Sequence, residues 1–146
     1  VEIEEDVAKY RSHLLISNDC QRVMSSCLAC HAAYLAWDEM SIASKKRLAA
    51  KEASTEALLL LNGRHQPLAT RIQKEISTWT ASEIAPQRLL SGHDLLQAGF
   101  PAGRLLGRAL ERVYDAQLEG RIRTYDEAIT LARTIHCSDL STEDST

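Results

Sequence analysis

Arg104, Arg108 and Arg112 stand at four-residue intervals, and of all the residues in this 146-residue chain they are the best spaced to act on an anion. Residues four apart share one side of a helix, so the three form a basic stripe, with Arg121 and Arg123 just beyond its end. Lys45, Lys46, Arg47 and Lys51 make a second cluster, and Arg64, His65, Arg71 and Lys74 a third. Such clusters contact phosphates without reading base sequence. The net charge is −3, so polyanion binding must come from a local basic face and not from bulk charge. A competing use is written beside the stripe: Arg108 can pair with Glu111 and Arg112 with Asp115 at i,i+3, which makes an ordinary solvated face. The glycines of Gly99 to Arg104 also let backbone amides approach a phosphate at a helix start, or serve as plain turn residues.

Sulfur and imidazole offer a second chemistry. Cys27-Leu28-Ala29-Cys30-His31 spells the C-x-x-C-H of haem attachment, yet its apolar and alanine-rich flanks favour a continuous helix. Zinc would need His136 and Cys137 as further ligands. The simpler reading makes Cys20 and Cys27 small core hydrophobes, and no metal site is assigned. Trp37 and Trp79 could stack on bases, but Trp79 follows Ile72 and Ile76 at helical spacing and reads as core. His93, in the first turn of a helix, reads as a surface or phosphate-near residue and not as a general base.

Positioning these groups requires helices throughout. Glu2 to about Ile16 carries Ile3, Val7, Tyr10 and Leu14 on one side. Ser17-Asn18-Asp19 caps a long helix from about Cys20 to Ala36 whose buried face is predicted to hold Val23, Cys27, Cys30 or His31, and Tyr34. Two short helices follow, Ser41 to Ala50 and Ser54 to Leu61, the latter closed by Asn62-Gly63. Pro67 opens the next, with Leu68, Ile72, Ile76 and Trp79 as its stripe. After Pro86, Ser91 and Asp94 form a capping box with Leu90 and Leu95 as staple, and Gly99 and Pro101 stop that helix. Another begins near Gly103, buries Leu106, Leu110, Val113, Tyr114 and Leu118, and ends at Gly120. The last starts at Thr124, capped with Glu127, and buries Ala128, Leu131, Ala132 and Ile135.

No segment alternates as a strand does, and 45% of residues are apolar against 5% aromatic. The expected fold is therefore all-α, a compact bundle of about seven or eight short helices without a sheet. Three regions are expected: a helical body over 1–85, a three-helix motif over 86–136, and a disordered acidic tail over 137–146. No apolar run approaches a membrane span and no signal peptide is visible, which implies a cytoplasmic address.

The punctuation of the last third resembles the C-terminal region of the tRNA nucleotidyltransferase (CCA-adding enzyme) and bacterial poly(A) polymerase family. The likeness is carried by Ser91-Gly92-His93-Asp94-Leu95-Leu96, by Gly99, Gly103 and Gly107, by Ala116-Gln117-Leu118-Glu119-Gly120, and by Asp126-Glu127-Ala128. Where the family has Pro-Gly-Pro, this chain reads Ala102-Gly103-Arg104, with the proline displaced to Pro101. Trp37-Asp38-Glu39-Met40-Ser41 and the following Lys45-Lys46-Arg47-Leu48 are similar to the helical body that precedes this motif.

The resemblance implies a non-catalytic RNA-binding region that holds tRNA, along its acceptor and T-arm side, for CCA addition by a catalytic head. A poly(A) polymerase is the alternative within the family, and a helical protein–protein module that does not bind RNA is the alternative outside it. Nucleotidyl transfer needs closely spaced carboxylates for two Mg²⁺ ions beside a triphosphate-gripping loop, and no strand-borne Asp-x-Asp after a Gly-Ser loop occurs here. The chain starts at Val1 and not at methionine. It is accordingly read as a C-terminal piece, with the head, its Mg²⁺ and its CTP and ATP expected upstream. Partners implied are tRNA or other RNA 3′ ends and the rest of the parent enzyme. Self-association stays open.

Overall fold

Side-chain oxygens placed one residue before a helix decide where four of the described helices begin. The computed structural model describes residues 17–143, and the helix expected over Glu2 to Ile16 lies outside them. Helix α1 (Asn18–Leu35) begins where the Ser17 hydroxyl accepts the Cys20 N–H at 3.2 Å. A 3₁₀ turn (Trp37–Glu39) follows, and Ser41 caps α2 (Ile42–Ala49) by accepting the Ser44 N–H. Helix α3 (Ser54–Arg64) and α4 (Gln66–Ser77), with Pro67 in its first turn, complete a first unit that ends at Thr80.

The core of this unit is built around Tyr34, Trp37, Leu48, Leu61 and Ile72, with Ala53, Ala57 and Ala69 letting the helices approach. Trp37 is fully buried, its ring 5.6 Å from Tyr34 and 6.3 Å from Trp79, and its indole N–H donates to Glu75 at 2.8 Å. The Tyr34 hydroxyl shares a buried hydrogen bond with Ser54, so both buried polar side chains keep a partner.

The second unit comprises α5 (Ala81–Ile84), α6 (Gly92–Gln97), α7 (Arg104–Leu118) and α8 (Tyr125–Glu143). Ser91 and Asp94 form the reciprocal capping box, the Asp94 carboxylate accepting the Ser91 N–H at 2.7 Å and the Ser91 oxygen accepting the Asp94 N–H at 3.3 Å. Gly99, at φ +88°, closes α6: its N–H reaches Leu96 C=O and Phe100 N–H reaches Leu95 C=O, the paired bonds of a left-handed glycine cap. Gly120, at φ +74°, closes α7 in the same way, with bonds to Gln117 and Ala116. Glu127 accepts the backbone N–H groups of Arg123 and Thr124, and Thr124 accepts that of Glu127. Leu90, Leu95, Phe100, Ala109, Val113, Ala116, Ile122, Ala128 and Ala132 form the core.

The helical architecture agrees with the sequence reading, since no strand occurs among the described residues. Several details differ. Val23 is exposed, not buried, and Cys20 is exposed as well; near the end of a helix the apolar period persists although no neighbour among the described residues covers it. Asn62 and Gly63 continue α3 instead of ending it, because Gly63 keeps helical geometry and His65 N–H still reaches Leu61 C=O. The chain divides after Thr80, five residues before the boundary placed at 85, and α5 is a turn the periodicity did not show. The tail expected to lack structure from residue 137 continues α8 to Glu143; no glycine or proline interrupts it.

Candidate nucleic-acid interface

Helix α7 places its basic stripe on the solvent side because Ala109, Val113 and Ala116 occupy the opposite, buried side. Arg104, Arg108 and Arg112 are all exposed. Arg108 and Arg112 also interact within the chain. Arg121 is exposed and pairs with Glu119 at 2.7 Å, and Arg123 is exposed at the entrance to α8. Arg112 and Arg121, with Asp115 and Glu119, rim a hollow of about 380 Å³ floored by Leu131 and Ile135.

Sequence reasoning missed a cation of this unit that the fold puts to use. Arg88 binds Glu111 at 2.8 Å and lies over the Tyr114 ring at 4.4 Å. Around it, Gln117 accepts Leu89 N–H at 3.2 Å and donates to Gln87 C=O at 2.7 Å, while the Tyr114 hydroxyl donates to Pro86 C=O. These bonds seat the extended segment 86–89 along α7. Arg88 belongs to no periodic stripe, so only the tertiary placement of that segment reveals it.

The second predicted cluster is drawn into the fold of its own unit. Lys45 bonds Glu75 at 2.9 Å, stands over the Trp37 ring at 5.0 Å and keeps only 14% of its side-chain surface. Lys46 lies over Trp79 at 5.8 Å, and Arg47 is half-buried with a partner of its own. Arg71 pairs with Asp38 at 2.6 Å. Trp37, being buried, offers no ring to a base, and Trp79 is partly covered. His93 is exposed, as the sequence suggested. The stripe of α7 is therefore more accessible than Lys45, Lys46 and Arg47, whereas Lys51, Arg64, His65 and Lys74 are exposed like the stripe itself.

The carboxylates have structural employment. Hydrogen bonds from the Ser91 hydroxyl and backbone hold Asp94 below its ordinary range, and those from the Arg123 and Thr124 backbone do the same for Glu127. The Trp37 indole, then Lys45, lowers Glu75, and Arg71 lowers Asp38. Cys27 and Cys30 are buried free thiols, Cys27 raised by that burial, whereas His136 and Cys137 belong to the other unit, where the His136 ring meets Phe100 at 5.1 Å. Among the described residues no three His, Cys, Asp or Glu side chains gather as metal ligands would.

A pH dependence follows from the depressed carboxylates. Each contributes stability that is complete above its unfolded pKa, about 4, and is lost as pH falls through its lower folded value. The thermal midpoint should stay level above about pH 5 and drop below about pH 4. Asp94→Asn and Glu127→Gln should each flatten part of that drop; an unchanged profile in both would mean the caps do not titrate with folding.

Among the described residues no helix is long and apolar enough to cross a membrane. A family model described as tRNA nucleotidyltransferase domain 2 matches residues 1–132 of the chain. No curated protein and no solved structure matches it.

Proposed function

Because this chain belongs to the tRNA nucleotidyltransferase domain 2 family, we propose that it grips tRNA through the outward stripe of α7 and positions the 3′ end for nucleotide addition. The reading is supported by one observation above the others: Arg104, Arg108 and Arg112 share the solvent side of a helix whose start and stop are set locally. Arg121 and Arg123 extend the same surface. Contacts of this kind neutralise phosphates and carry no base information, which suits an enzyme that accepts many tRNAs. Chemistry at the 3′ end, with Mg²⁺ and CTP or ATP, would fall to carboxylates outside these 146 residues, in a cytoplasmic enzyme whose helical part does the holding.

Binding of unmodified tRNA by the full chain, followed across a salt series, tests this. Each phosphate contact contributes roughly 0.9 to the slope of log affinity against log salt. Replacing the three arginines by alanine should therefore reduce the slope by about 2 to 3 and weaken binding about 10- to 100-fold at low salt. Helicity should be unaffected, since all three side chains are exposed. Absence of low-salt binding, or a slope that ignores the triple substitution, would remove the reading.

A further inference from the structure

Helix α3 presents a second surface, unlike the first. Glu56, Leu60 and Arg64 follow one another at i, i+4 and i+8, the row by which globular helices most often pack. All three are exposed, and next to Leu60 (49% exposed) stands Leu59 at 69%. Leu60 and Arg64, with Leu28 and His31 of α1, line a hollow of about 230 Å³. Neither Glu56 nor Arg64 joins a salt bridge among the described residues. Gly63 stands one residue before the end of α3, and a Cβ there would meet nothing within 4 Å, so its bare backbone leaves room for another helix to come close.

The row is its own complement. Glu56 and Arg64 lie equally far from Leu60 on opposite sides, so a two-fold axis through Leu60 brings the acid of one copy against the base of the other, twice. We propose that α3 is the self-association face of this protein, packing antiparallel on α3 of a second copy. Leu59 and Leu60 lie at the centre, Gly63 admits the neighbouring helix, and the Glu56–Arg64 pairs flank them. An isologous contact of this sort closes at two copies. Since stable interfaces bury above roughly 1,000 Å², one helix face with its adjoining hollow gives a weak, concentration-dependent dimer.

The full chain should shift from monomer to dimer across the micromolar range in sedimentation velocity. Glu56→Arg alone, or Arg64→Glu alone, sets like charges together at both ends and should weaken association about tenfold or more. An equimolar mixture of those two single variants should associate one-to-one, because each then carries a row of a single sign. Gly63→Leu should block the dimer by bulk while leaving thermal stability equal or higher, which separates loss of association from loss of folding. A chain that stays monomeric throughout, single variants that self-associate like the parent, or a mixture that fails to pair would each overturn the proposal. So would a Glu56→Arg variant that gains RNA affinity with no change in mass.

Discussion

Trp37→Ala should destabilise the first unit by about 3–5 kcal/mol, the range for emptying a buried indole site. Trp37 has no exposed surface, and it meets Tyr34, Trp79 and the Lys45 ammonium while donating to Glu75. Removing it opens a cavity at the centre of the core between Tyr34, Leu48, Leu61 and Ile72 and leaves the partly buried Glu75 with Lys45 as its remaining charge-assisted partner. With a urea slope of about 1–3 kcal/mol per molar, the midpoint should fall by more than about 1 M. The remaining tryptophan, Trp79, lies in the same unit and reports the transition directly. Trp37→Phe should recover part of the loss by refilling volume without the hydrogen bond. A cost below about 1 kcal/mol, the scale of an ordinary substitution, would show that Trp37 does not organise this core.

Leu95→Ala should cost about 2–5 kcal/mol in the second unit. In the six-residue α6, Leu95 is at once the fourth helical position, where it closes the hydrophobic staple with Leu90, and the carbonyl that receives Phe100 N–H in the glycine cap. Leu90, Leu95 and Phe100 share the core, so one truncation loosens both ends of one helix. Far-UV circular dichroism should show the loss, at roughly 4–8 °C per kcal/mol for a unit of this size, while Trp79 emission tracks the first unit separately. Leu95→Met, which conserves volume, should cost less than about 1.5 kcal/mol. If tRNA contact depends on α7 as proposed, affinity should fall near the temperature at which this variant's second unit melts.

What could be read from the sequence divides by range. The caps at Ser17, Ser91 and Thr124 and the stops at Gly99 and Gly120 were legible because each depends on partners within five residues. Val23, Asn62-Gly63 and the continuation of α8 were not, since each turns on whether some distant surface covers a side chain or interrupts a helix. The basic residues show the same limit. Spacing alone placed Arg104, Arg108 and Arg112 on one side of α7, but nothing local to Lys45 announces Glu75, thirty residues away. Arg88 went unnoticed for the complementary reason, its site being assembled by a nonrepetitive segment laid along α7.

The two glycine caps and two reciprocal boxes of the second unit confine the rules for where α6, α7 and α8 begin or end to a few buried or backbone-bonded positions. The outer residues of α7 take little part in those rules. Related sequences could thus exchange that exterior wholesale, drifting toward different RNA shapes or abandoning RNA, while the helix lengths stay fixed. Such a scaffold separates the inheritance of form from the inheritance of specificity.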